Sequence, residues 1–187
     1  MSTRLANQGR LIDRNKQIEF TFNGKRMKGF AGDTLASALL ANDQMMVGRS
    51  FKYHRPRGLV ASGSEEPNAL VGLGTGDRFE PNQRATTTEL FSGLSAQSQN
   101  HWPSLEFDVL AINNKLSRFL TAGFYYKMFM YPRAFWKHVY EPIIRASAGL
   151  GKAPDKELKD ADTYEHFYFF ADVVVIGGGV AGLQAAK

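Results

Sequence analysis

The last fifteen residues constrain this chain more than any other stretch. Val173–Ile176 form an unbroken β-branched run, and glycines follow at 177, 179 and 182 in the spacing G-x-G-x-x-G, before the helix-permissive Leu183-Gln184-Ala185-Ala186. Read as strand, turn and helix, each glycine has a separate task. Gly177 permits a tight turn, Gly179 lets the backbone approach a pyrophosphate, and Gly182 lets the helix lie close against the strand. Free N–H groups and the positive dipole end at the start of the helix then face the phosphates. This pattern predicts the first β–turn–α of a Rossmann-like FAD/NAD-binding domain. The spacing makes Gly177, Gly179 and Gly182 its cofactor-binding residues. The spacing leaves NAD and FAD both open, because the acidic ribose partner expected about 20 residues further on falls beyond Lys187. A lone strand and a stub of helix bury too little to offset their ordering. The sequence therefore reads as the N-terminal portion of a longer chain, truncated inside this domain and without useful dinucleotide affinity by itself.

Upstream, residues 18–30 carry a hairpin signal. Ile18, Phe20 and Phe22 alternate with polar residues, and Asn23-Gly24 is the dipeptide favoured where a type I′ turn needs two positive φ angles. A short helix follows, with Asp33 or Thr34 as its cap and Leu35, Ala38 and Leu39 on one face. A hairpin running directly into an amphipathic helix begins a β-grasp, ferredoxin-like unit. Residues 47–73 read as a loop rich in glycine and proline, and 74–89 as a turn followed by a β-forming threonine run. The span 102–145 holds 11 of the 23 aromatic residues, cut into short helices by Pro103, Pro132 and Pro142. The expected class is α+β. A β-grasp domain covers 15–95, an aromatic helical connector 96–165, and the incomplete dinucleotide-binding domain 168–187.

Composition excludes several classes. No apolar run approaches the roughly 18 residues that span a bilayer, and the N-terminus lacks the apolar stretch of a secretory signal. The chain has no cysteine, which excludes disulfides, thiolate chemistry and any cysteine-held cluster. These features point to a cytoplasmic protein with no membrane partner. The net charge of +5 is uneven: residues 1–60 hold 11 Lys and Arg against 4 Asp and Glu. Much of that charge falls in "GRSFKYHRPRG" (48–58), where Arg49, Lys52, His54, Arg55 and Arg57 surround Phe51 and Tyr53. Basic and aromatic side chains together suit phosphate or RNA contact. No RNA-binding module surrounds them, however, and a basic loop packed on a neighbouring domain or subunit is the preferred reading; no nucleic acid is expected as a partner. His54 has no carboxylate or histidine at ligand spacing, so no catalytic residue and no metal ligand is assigned.

Taken together, "FNGKRMKGFAGDTLASALLAND" (22–43), "GRSFKYHRPRG" and "VVVIGGGVAGL" (173–183) resemble the alpha subunits of heterotetrameric sarcosine oxidases. The likeness covers nearly the whole chain, and "SFKYHRPRG" is its most specific block. Only through this resemblance do the flanking Ile176, Gly178 and Val180 join Gly177, Gly179 and Gly182 as cofactor-binding residues, with NAD as the implied cofactor. Related amine dehydrogenases hold a 2Fe–2S cluster in the β-grasp domain through a C-x4-C-x2-C run. Aligned after "HRPRG", that run falls on Ala61, Glu66 and Ala69 of "VASGSEEPNALV". None is cysteine, so the resemblance implies a ferredoxin-like shell without an iron–sulfur cluster. It further implies oxidative demethylation of sarcosine to glycine, with O2 reduced to H2O2 and the one-carbon unit passed to tetrahydrofolate through a later part of the subunit. Beta, gamma and delta subunits are the implied partners, and FAD and FMN the flavins of the full complex. The competing expectations are the alpha subunit of a related amine, proline or opine dehydrogenase, and a non-catalytic module that docks onto a partner.

Overall fold

A computed structural model describes residues 3–120, 122–123, 130–147, 159 and 161–187. The hairpin forms where alternation and the turn dipeptide place it. Strands β1 (Asp13–Phe22) and β2 (Lys25–Ala31) pair antiparallel, with Phe22 opposite Lys25 and Ile18 opposite Gly29. Asn23 and Gly24 take φ of 49° and 78°, the two positive angles a type I′ turn requires. Because side chains alternate along a strand, Phe20 and Phe22 share one face, and both are buried.

That face is covered by helix α1 (Leu35–Ala41), which buries Leu35, Ala38 and Leu39. Thr34 caps it with a reciprocal box: its hydroxyl accepts from the Ser37 N–H at 3.2 Å, and the Ser37 hydroxyl accepts from the Thr34 N–H at 3.0 Å. Asp33 serves a different end. Its buried carboxylate accepts from Ser37 Oγ at 2.7 Å and the Phe30 N–H at 2.9 Å, and pairs with both terminal nitrogens of Arg4 at 2.9 and 2.6 Å. Gly29 allows the helix to approach the hairpin closely, since a Cβ there would lie 2.4 Å from Leu90 Cδ2 and 3.1 Å from Ala38 Cβ.

Two short strands, β3 (Gly48–Arg49) and β4 (Pro56–Arg57), form a separate antiparallel pair. The remaining strands are β5 (Leu70–Leu73), β6 (Glu80–Arg84) and β7 (Ser95–Gln97). The main sheet has the order β2-β1-β7-β5-β6, with β7 parallel to β1 and antiparallel to β5. A parallel partner beside an N-terminal hairpin, reached by a crossover through α1, is the β-grasp arrangement that the opening segment predicts.

Three expectations are corrected. Leu70–Leu73, placed in a loop by the surrounding Gly and Pro, is an inner strand of the sheet. The threonine run forms no strand: Thr87 and Thr88 close a turn on the Arg84 carbonyl, and the strand is the preceding Glu80–Arg84. The packed unit also continues past residue 95, because β7 lies mid-sheet and Leu105 is part of the core. Beyond it, the described part of the aromatic segment forms short helical turns, but Pro142, expected to divide them, lies inside the last one. A 3-10 turn at Val109–Ala111 enters α2 (Ile112–Lys115), and a 3-10 turn and a π turn over 133–140 lead into α3 (Glu141–Ser147). The aromatic cluster at 124–129 lies outside the described residues. No helix among the described residues is long and apolar enough to cross a membrane.

Candidate functional site

The glycine segment runs from an exposed stretch without strand pairing into a short helix. Gly177 has φ of 114°, where an L side chain is strained. Gly179 is extended (φ −76°, ψ 176°) and precedes helix α4 (Val180–Ala186), whose first turn closes with Leu183 N–H donating to the Gly179 carbonyl at 2.9 Å. A Cβ on Gly182 would stand 1.9 Å from the Gly177 carbonyl oxygen, so the helix crosses the turn at a distance only glycine permits. Side chains at 177, 178 and 179 would meet open space. The first amides of a helix have no partner within it. Of the six residues assigned from the sequence, Ile176, Gly177, Gly178 and Gly179 precede the helix, and Val180 and Gly182 lie within it. Val173–Ile176 differ from expectation: the run makes no ladder, and Ile176 is 93% exposed. A strand needs a neighbour to satisfy its backbone groups, and the described residues supply none here.

A second constellation lies in the loop 60–69. Glu66 is 1% exposed, and its carboxylate gathers four backbone amides. Oε2 accepts from the Val60 and Ala61 N–H groups at 2.7 and 2.6 Å, and Oε1 accepts from those of Asn68 and Ala69 at 2.7 and 3.3 Å. Burial pushes this carboxyl up, but the four N–H donors more than offset burial and hold it below the usual glutamate range. Thr86, also buried, donates its hydroxyl to the Gly63 carbonyl at 2.7 Å from across the loop.

The basic block 48–58 is divided: Arg49 and His54 are buried, whereas Phe51, Arg55 and Arg57 are exposed. Arg49 is buried, donating through Nε to the Leu105 carbonyl (2.8 Å) and through its terminal nitrogens to the carbonyls of His54 (2.9 Å) and Glu106 (3.1 Å). His54, also buried, hydrogen-bonds through Nδ1 to Asp108 Oδ2 at 2.7 Å. Tyr53 donates to the Leu120 carbonyl at 2.7 Å, and Arg55 to Asn114 Oδ1 at 2.7 Å while lying over the Tyr53 ring. The block is a clamp on the start of the connector within this chain, held by contacts to Leu105, Glu106, Asp108, Asn114 and Leu120. Asp108 is the carboxylate partner of His54 that local spacing does not reveal.

His101 sits beside this clamp, its Nε2 2.7 Å from Ser98 Oγ. Burial pushes the imidazole below its usual range; Asp108 acts to raise it and Arg49 to lower it further. The unfolded chain thus takes up a proton that the native state resists. Stability from this group is expected to be intact above pH of about 6.5 and to decline below it, measured as the urea midpoint between neutral and mildly acidic pH. An unchanged midpoint would contradict the assignment.

The mixed sheet, the helix packed on it and the wrapped loop at 60–69 form the described packed unit. Residues 15–101 match the family described as "2Fe-2S iron-sulfur cluster binding domain". Nearly the whole chain is homologous to part of the sarcosine oxidase alpha subunits. It is 58% identical to the sarcosine oxidase subunit alpha of Rhizobium meliloti (strain 1021) over 99% of its own length and 18% of that protein's. To the subunits of the same name from Corynebacterium sp. strains U-96 and P-1 it is 29% and 30% identical, over 96% and 94% of its length and 14% and 13% of theirs. The chain thus spans less than a fifth of the curated relatives it matches.

The residues in place do not fit the cluster that the domain type implies. Such clusters are held by thiolates, and the chain has no cysteine. Ala61 and Ala69 offer methyl groups, and the Glu66 carboxylate is already taken by four amides. Among the described residues no three His, Cys, Asp or Glu side chains gather to hold a metal ion.

Proposed function

We propose that this chain is part of the alpha subunit of a heterotetrameric sarcosine oxidase, an oxidoreductase acting on the CH–NH group of its donor. In this reading the complete enzyme demethylates sarcosine to glycine, reduces O2 to H2O2 and passes the one-carbon unit to tetrahydrofolate. Beta, gamma and delta subunits complete it, and FAD and FMN serve it outside the residues described. The observation that carries the reading is 58% identity to a sarcosine oxidase alpha subunit over 99% of the chain. The cysteine-free loop supports a β-grasp domain that works without an iron–sulfur cluster.

Within that subunit, Ile176, Gly177, Gly178, Gly179, Val180 and Gly182 hold the pyrophosphate of NAD, with FAD as the alternative. A dinucleotide bound there brings hydride chemistry to a ring that lies beyond these residues. The residues themselves supply the open glycine face and the amides at the start of α4. The 187 residues alone are inactive in this reading. Gly182→Val in the complete subunit pushes α4 off the turn. It is expected to weaken NAD binding at least about tenfold, about 1.4 kcal/mol; unchanged affinity by calorimetry would remove the site.

A second reading, a module that docks onto a partner without redox work, is favoured by exposed aromatics such as Phe107, Phe119 and Tyr131. Expressing the complete reading frame with its neighbouring genes separates the two. Peroxide release from sarcosine supports the oxidase, release from proline points to the related dehydrogenase or oxidase branch, and a stable complex without turnover supports the docking module.

A further inference from the structure

The loop that would wrap an iron–sulfur cluster in this type of domain has been rebuilt around a side chain of its own. We infer that the Glu66 carboxylate stands in for the anionic cluster, serving as the internal anion that holds the 60–69 loop in its ferredoxin-like shape. The inference rests on the reading of the domain as cluster-free.

The argument is electrostatic. A loop wound tightly around a cluster turns successive backbone N–H groups inward, and such nests bind anions, iron–sulfur centres among them. Replacing cysteines with small residues removes the ligands but leaves those N–H dipoles pointing at one another. A buried amide without a partner is destabilising, and four at one spot would open the loop. Glu66 occupies the middle position of the aligned C-x4-C-x2-C run, and its carboxylate receives amides from both sides of that run. Val60 and Ala61 donate from before it, Asn68 and Ala69 from after it. The flanking positions 61 and 69 are alanines, which leave room at the centre and contribute their N–H groups to it.

A fourth ligand to such clusters comes from further along the chain. Here the side chain that reaches the loop from that direction is Thr86, which bonds the Gly63 carbonyl at 2.7 Å. Arg84 adds a contact of 3.3 Å from Nε to the Glu66 carbonyl, outside the nest. Glutamate is the side chain this centre requires. An ionised carboxylate only accepts, with two oxygens for two pairs of donors, whereas an amide of the same shape would turn its NH2 toward one of the pairs.

The test uses the whole 187-residue chain. In the unmutated chain, hydrogen exchange at the Val60, Ala61, Asn68 and Ala69 amides is expected to be slowed at least about a hundredfold relative to free peptide, as bonded interior amides are. Glu66→Gln is expected to lose that protection at one pair at least and to melt roughly 10 °C lower, from two donors left unpaired. Glu66→Ala is expected to lose protection at all four, and added formate, a free carboxylate of the right size, to restore part of it. Equal protection and equal melting in Glu66→Gln would overturn the inference. Should neither variant fold, the unmutated chain decides, and free exchange at these four amides would overturn it. Iron and sulfide purifying with the chain would instead overturn the cluster-free reading on which the inference rests.

Discussion

Asp108→Ala is expected to destabilise the chain by about 3–5 kcal/mol, the cost of removing one member of a buried ion pair. The Asp108 side chain is fully buried, with its Oδ2 2.7 Å from His54 Nδ1 and 3.7 Å from Arg49 Nε. Its Oδ1 accepts from the Trp102 and Leu110 N–H groups at 3.0 and 3.2 Å, fixing both ends of the segment that carries it. Without it the Arg49 guanidinium keeps its three carbonyl partners but loses the nearby anion, while the His54 ring and two amides lose an acceptor. The pair itself is not the source of a large net gain, since removing two charges from water costs nearly what their attraction returns. The damage comes from leaving one charge behind. Replacing Arg49, His54 and Asp108 together by apolar residues of similar size should therefore cost less than Asp108→Ala alone. Urea unfolding measures both. An Asp108→Ala chain within 1 kcal/mol of the parent would show that the clamp carries no such energy.

The clamp also marks where sequence reading stops. The Asn23-Gly24 turn and the Thr34 cap were legible because a turn and a helix start are decided by residues within four positions of each other. The glycine spacing is local in the same way, but a Cβ on Gly182 would meet the Gly177 carbonyl rather than the paired strand that the spacing assigns to it. The paired strand before it was not realised, because pairing depends on neighbours rather than on β-branched content. Leu70–Leu73 went unread since four residues beside Gly and Pro carry no period of their own. Strand β7 is three residues long, and only its place between β1 and β5 makes it a strand. His54 and Asp108 are separated by 54 positions, so no spacing rule joins them. Glu66 falls between these cases. Alignment after "HRPRG" put it where a ligand is missing, but only the folded loop brings four amides to its carboxylate.

Burial separates the aromatics in a way that composition could not, and paired substitutions should expose the difference. Phe20 is 2% exposed, at the centre of the face that β1 turns toward α1 and in one cluster with Leu35, Leu39 and Val71. Phe20→Ala is expected to cost about 3–5 kcal/mol, combining lost transfer energy with a cavity the sheet cannot close. Phe107, at the connector end of the clamp, is 69% exposed. Phe107→Ala is expected to change stability by less than about 0.5 kcal/mol, as surface substitutions do. Denaturant midpoints of the two variants test the contrast, and a similar loss for both would mean that the connector ring packs into the domain. With the expected contrast, the exposed ring contributes nothing to this fold by itself. Its value then has to be sought in an assembly, where a single aromatic anchor is worth 2 kcal/mol or more of binding, to order of magnitude. The same Phe107→Ala chain, unaltered in stability, should then bind the other subunits of the proposed oxidase at least roughly tenfold more weakly. Equal binding would exclude this ring from the subunit contact.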